Sequence, residues 1–221
     1  MSKADDIVKA RDWGVVENNL ADVVVTQRLA EVSTLFSPTH RGRVFALFRH
    51  PVKRAVDLFY YRQRSTFDPD FEGDVAVMSL KTYALSRHHV ENFMVRTLLN
   101  KVGFDVTPED VEVCKDILRR KFVVGIAEEK WFDASVVRFE RYFGWWNQFK
   151  VSTNMTVNHC HYDRIKKGGH FGSHPKAQKH SEAYDILASR NWADMELVSS
   201  DAQAALCAEH RSSRGFARFF E

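Results

Sequence analysis

Arg43-Val44-Phe45-Ala46-Leu47-Phe48-Arg49-His50-Pro51-Val52-Lys53-Arg54-Ala55-Val56-Asp57-Leu58-Phe59-Tyr60-Tyr61 decides how the rest of the chain is read. Val44 to Phe48 is an unbroken apolar run of strand length, which predicts a strand covered on both faces. Pro51 follows closely, and proline suits the first turn of a helix, where its missing N–H is not needed. Val52, Ala55, Val56 and Phe59 then recur at helical spacing and form one apolar face. A strand running into a helix leaves backbone N–H groups and a positive dipole end at the turn between them. Arg49 adds a planar donor fork that matches phosphate oxygens. The segment therefore reads either as a phosphate site or as a strand–helix unit with ordinary surface arginines.

The same residues resemble the 3′-phosphate-binding segment of sulfotransferases that use 3′-phosphoadenosine 5′-phosphosulfate (PAPS). That pattern is Arg, any residue, Pro, two residues, Arg, two residues, Ser, then an aromatic pair. Arg49, Pro51 and Arg54 match it, and Phe59, Tyr60 and Tyr61 supply aromatics. In the family the first arginine and the serine hold the 3′-phosphate, so the resemblance implies Arg49 as a cofactor-binding residue. The serine position is Asp57 here, a carboxylate that opposes a phosphate and lacks the hydroxyl donor. Binding there requires Asp57 to turn away or to pair with Arg54.

Three further segments are similar to parts of carbohydrate sulfotransferases. Glu91 to Leu99 resembles their asparagine-methionine-arginine helix, Phe122 to Glu129 their late strand and turn, and Asn191 to Leu197 their asparagine-aspartate-leucine segment. The resemblance runs from about residue 20 to the end, and the Arg49 segment is its specific part. It implies an α/β, P-loop NTPase-like layered fold with a largely parallel central sheet flanked by helices. It also implies one sulfotransferase-like domain over residues 1–221. The family's 5′-phosphosulfate loop is not evident: only Gly14 and Gly42 precede Arg43, and no glycine is followed by Lys-Ser or Lys-Thr. The expectation is thus a domain incomplete at its N-terminus or degenerate. The family context implies the Golgi lumen, normally through an N-terminal anchor.

Composition sets outer bounds. With 44% hydrophobic and 28% charged residues, the chain has the makeup of a globular protein. A net charge of +3 is too small to argue for nucleic acid. No apolar run reaches the ~18 residues of a membrane-spanning helix, and the polar start Met1-Ser2-Lys3-Ala4-Asp5-Asp6 does not read as a signal peptide. Cys114, Cys160 and Cys207 are odd in number and dictate no disulfide framework.

Outward from the deciding stretch, Val23-Val24-Val25 reads as a strand or as the start of a helix through Leu29 and Val32. Ser65 to Ser79 reads as a long loop, either a wall of an acceptor cleft or a mobile connection. A helix carrying Val90, Phe93, Met94, Thr97 and Leu98 on one face follows. Thr107-Pro108-Glu109-Asp110 is a helix start with an N-cap, a first-turn proline and first-turn acids. That helix extends to about Arg120 with Val111, Cys114, Ile117 and Leu118 inward. Phe122 to Ile126 is a second strand, and Asp133 opens a helix that Gly144 ends.

Asn158 to His180 is the least regular region and the richest in polar chemistry. Lys166, Lys167 and Gly168, with Gly169, read as a basic loop whose backbone N–H groups cradle a phosphate. They loosely resemble the late lysine-glycine loop of sulfotransferases; the alternative is a solvated loop. A zinc site built from Cys160, His161, His170 and His174 fits no established spacing. Asn154-Met155-Thr156 is a glycosylation sequon, meaningful in a secretory lumen. Tyr142, Phe143, Trp145, Trp146 and Phe149 read as helix-end packing before a sugar platform.

Taken together, the resemblance implies transfer of a sulfonate from PAPS to a hydroxyl, on a carbohydrate or glycan acceptor. The alternative is a non-catalytic anion- or glycan-binding domain with a degenerate sulfotransferase fold. A nucleotide kinase-like relative has less motif support, since it too needs a P-loop. No catalytic base stands out. His40 and Glu31 lie in the interval where the family supplies one, and both read as surface residues.

Overall fold

The computed structural model describes residues 4–67, 71–128, 131–144 and 174–199. Their contacts group into two compact units. Unit 1 is Met1–Phe48, Val90–Ile126 and Arg190–Glu221; unit 2 is Arg49–His89 and Ala127–Ser189.

Unit 1 contains α1 (Ala4–Asp12), α2 (Leu29–Ser33), β1 (Val44–Phe48), α5 (Phe93–Leu99), α6 (Pro108–Lys121), β2 (Phe122–Ile126) and α9 (Trp192–Leu197). The two apolar runs form a parallel two-stranded sheet, with Val44 opposite Phe122 and Phe48 opposite Ile126. The fold is therefore mixed helix and parallel sheet. β2 is buried from Val123 onward, but β1 is not covered on both faces, because Leu47 is 46% exposed. The Val23 to Val25 run forms no regular element, and Val23 and Val25 are exposed. The helix expected beyond it is α2, a single turn whose Val32 packs with Ile7, Ala10, Val15 and Leu35.

α6 starts as its sequence dictates. Thr107 Oγ1 accepts from the Asp110 N–H, and Asp110 Oδ2 accepts from the Thr107 N–H at 2.8 Å, a capping box. Val111, Cys114 and Leu118 are buried as expected. Ile117 is only half-buried, and the fourth buried position is Lys115, whose ammonium bonds Glu112 and Glu196. α5 begins later than the sequence suggested. Val90 precedes it and is exposed, and Met94 and Val95 are the buried pair.

α5 has no cap of its own, and α9 provides one. Asn92 holds φ +48, in the left-handed region asparagine tolerates. The buried Asp194 carboxylate accepts from the Met94 N–H at 2.9 Å and the Val95 N–H at 3.0 Å. In return Asn92 Oδ1 accepts from the Ala193 N–H at 3.0 Å, while Asn191 Oδ1 accepts from the Asn92 N–H at 3.1 Å. Two helices of seven and six residues thus cap each other's first turns. Such short helices are marginal alone, and this exchange satisfies N–H groups that burial would leave without water.

Unit 2 contains α3 (Pro51–Arg64), a 3-10 turn (Val75–Val77), α4 (Leu80–Leu85), α7 (Phe132–Phe143) and α8 (Glu182–Arg190), whose last residue falls in unit 1. Pro51 opens α3, and Val52, Ala55, Val56 and Phe59 are buried on its apolar face. The stretch after α3 is not a mobile connection where it is described. Val75 is fully buried against Phe59 and Tyr83, and the Gln63 amide donates to the Met78 carbonyl at 3.1 Å. α4, missed in the sequence, is capped by the Ser79 hydroxyl, which accepts from the Thr82 N–H. Gly144 ends α7 with φ +66, a conformation that favours glycine. No helix among the described residues is long and apolar enough to cross a membrane.

Candidate functional site

Unit 2 holds a cavity of about 450 Å³ beside the start of α3. Arg49, His50, Lys53 and Asp57 line one side. Glu128 and Phe132 come from the segment leading into α7, and His174, Lys176, Lys179 and Tyr184 from the approach to α8 and from α8 itself. Four permanent cations (Arg49, Lys53, Lys176 and Lys179) therefore meet two carboxylates, Asp57 and Glu128, among the described residues. The excess of positive charge in a concave site favours an anionic ligand.

The sequence explains why the start of α3 is receptive to negative charge. His50 is its N-cap residue but supplies no side-chain cap, and the first turn has no acid. Glu128 takes that place from another part of the chain. Its Oε1 accepts from the His50 N–H at 3.0 Å, and its Oε2 is ion-paired with Lys53. Burial pushes the Glu128 carboxyl up, but the hydrogen bonds from Lys53 and the His50 N–H, with the charges of Lys53 and Arg49, bring it below the usual range.

Asp57 lies between two cations. Its Oδ2 is 2.8 Å from Arg49 Nε, and its Oδ1 is 2.8 Å from His174 Nε2. Burial still raises the Asp57 carboxyl above the ordinary range against the pull of Arg49 and His174. This corrects the sequence expectation: the carboxylate neither turns away nor pairs with Arg54. Arg54 acts instead on the buried Tyr83 phenol, which burial pushes up while Arg62 and Arg54 draw it down. His50 lies beside Tyr184, with ring centroids 6.3 Å apart, and its Nδ1 is buried without a hydrogen-bond partner. Burial lowers the His50 imidazole below its usual range, the Glu128 charge opposes this, and Lys53 and Lys179 add to it; the ring is therefore neutral at neutral pH.

Arg49 and Asp57 are thus brought together. Lys166, Lys167 and Gly168, the expected phosphate loop, lie outside the described residues, as do Cys160, His161 and His170 of the zinc reading, the Asn154 sequon, and Trp145, Trp146 and Phe149. Tyr142 and Phe143 pack edge to face at the end of α7. Glu31 is in an exposed ion pair with Arg28, and His40 closes a turn with Ser37. Sequence reasoning missed Lys53, His50, Lys176, Lys179 and Tyr184 as cleft residues, and weighed His174 only as a metal ligand. The one local signal for Glu128 is an acid just past an apolar strand.

A second cluster joins Glu72, Asp74 and His88, close enough to offer three ligand atoms to a cation. Nδ1 of His88 faces Glu72, and Nε2 lies 2.8 Å from Asp74.

Comparison with protein-family models, with curated proteins and with solved structures gave no match.

Proposed function

We propose that this chain is a sulfotransferase-like domain whose unit 2 cleft holds the 3′-phosphate of PAPS, for transfer of its sulfonate to a carbohydrate hydroxyl. The observation that carries the reading is the position of Arg49. The arginine of the sulfotransferase-like segment lines a cavity where cations outnumber carboxylates. The finer fold assignment, a P-loop NTPase-like layered sheet, belongs to the same proposal; the parallel β1–β2 pair is compatible with it.

In the proposed reaction the acceptor hydroxyl oxygen attacks sulfur in line. The bond from sulfur to the 5′-phosphate oxygen breaks, and adenosine 3′,5′-bisphosphate departs. Positive groups around the nucleotide stabilise the leaving phosphate. The hydroxyl proton passes to a base on the acceptor side of the site.

A second reading, a non-catalytic anion- or glycan-binding domain, is favoured by the ion pair that already occupies Arg49. Adenosine 3′,5′-bisphosphate should raise the melting temperature of the wild type, and Arg49→Ala should abolish that shift. Charge-assisted contacts of this kind are worth about 1.5–3 kcal/mol each. Equal shifts in both proteins would remove Arg49 from the site. Labelled sulfonate from PAPS, offered with heparan, chondroitin and simple glycans, separates the two readings. Transfer supports the enzyme; nucleotide binding with no transfer supports the binding domain.

A further inference from the structure

Asp57 occupies the place where two donors converge. Arg49 Nε and His174 Nε2 approach the two oxygens of its one carboxylate, each at 2.8 Å. Planar carboxylates and tetrahedral phosphates present paired oxygens with a similar bite, which is why one arginine fork recognises both. His174 is firmly placed. Its side chain is 8% exposed, its ring stacks on Tyr60 with centroids 4.8 Å apart, and Nδ1 lies 3.1 Å from the Pro175 carbonyl. A carbonyl only accepts, so that contact requires the proton on Nδ1. With the proton on Nδ1, Nε2 is the ring position that faces Asp57. The Nε2 atom is buried, and its approach to Asp57 is close without being aligned as a hydrogen bond.

We infer that His174 is a second cationic arm of the anion site beside Arg49, and that Asp57 is an internal carboxylate which a tetrahedral dianion, a phosphate monoester or sulfate, replaces between the two arms. The inference rests on reading the cleft as an anion site. It adds an arm that the Arg49 segment does not contain and gives Asp57 the role of positioning the two arms.

The replacement has a proton balance. Asp57 meets Arg49 on its own side of the cleft and His174 from the approach to α8; Glu128 adds negative charge from the segment before α7. Lys53 and the His50 N–H already hold Glu128. Lys176, Lys179, Tyr184 and His50 also line the cavity among the described residues. Among the described residues, an incoming dianion therefore faces one carboxylate, held by the arms it needs. Taking up a proton at Asp57 removes that repulsion.

Sulfate is the clean probe, because it does not titrate near neutrality. Calorimetric titration of the wild type at neutral pH, in buffers of different ionisation heat, should show uptake of about one proton per sulfate bound. Asp57→Asn should bind sulfate about tenfold more tightly, roughly 1.4 kcal/mol, with proton uptake near zero. Adding His174→Gln to that variant should lose the gain. Sulfate binding without proton uptake in the wild type overturns the inference, with no variant required. An unchanged affinity in Asp57→Asn overturns it too. Tight binding of adenosine 3′,5′-bisphosphate with no proton uptake would keep the nucleotide reading and reject this one. Proton-coupled sulfate binding to which the nucleotide adds nothing would do the reverse, and no anion binding in any variant rejects both.

Discussion

Asp194 offers the sharpest stability test in unit 1. Its carboxylate is fully buried and accepts from the first-turn N–H groups of Met94 and Val95 at 2.9 and 3.0 Å. Asp194→Ala removes both acceptors from a place that water does not reach. A buried polar group left without a partner costs about 1–3 kcal/mol, so two N–H groups amount to roughly 2–6 kcal/mol. Asp194→Asn keeps one acceptor oxygen and loses the charge, and should cost about 1.5–3 kcal/mol. Against a typical domain stability of about 5–15 kcal/mol, the alanine variant approaches the limit of folding and the asparagine variant remains measurable. Urea unfolding followed by circular dichroism gives the difference, provided the slope with denaturant is unchanged. Hydrogen exchange gives a local readout: the Met94 and Val95 amides should lose protection in Asp194→Asn before those of α6 do. A loss below about 1 kcal/mol in the alanine variant, with both amides still protected, would refute the reciprocal capping of α5 and α9.

Other expectations follow from single contacts. Glu128→Gln should destabilise unit 2 at neutral pH. Because the folded Glu128 carboxyl is held below its ordinary range, its contribution is present above that range and lost as pH falls through the lowered folded value. The gap between wild type and Glu128→Gln in thermal melts should therefore close on acidification; a gap independent of pH would contradict this. Asp57 has the opposite sign: its folded carboxyl is raised, so its linked stabilisation is complete below the ordinary aspartate range and lost as pH rises through the folded value. Asp57→Asn should flatten that fall in melting temperature. Burial, with the nearby charges of Asp110 and Asp194, pushes the Cys114 thiol up to about 12. Cys114 should thus resist alkylation in the folded chain and react after denaturation, as peptide mass mapping would show. Thr107→Ala should cost about 0.5–2 kcal/mol through loss of the α6 cap, and an unchanged urea midpoint would speak against the capping box.

What the sequence determined by itself was local. The strand-length apolar runs located the two strands among the described residues, whereas the three-residue Val23–Val25 run was too short to form one. Pro51 and Thr107-Pro108 marked two helix starts, and Gly144 marked an end, because backbone N–H accounting and a left-handed turn are decided within a few residues. The Arg49 segment was likewise legible as a cationic turn into a helix. The partners of those charges were not. His50 and Glu128 are 78 positions apart, and Asn92 and Asn191 are 99 apart. No periodicity encodes such pairs; they form only when folding has closed the intervening chain and excluded water. The same holds for Asp57, whose spacing allowed Arg54. The tertiary structure gave Arg54 to the surroundings of Tyr83 and put Arg49 and His174 on the carboxylate. A buried charge takes whichever opposite charges the packed elements deliver to it, and that delivery is a property of the assembled fold.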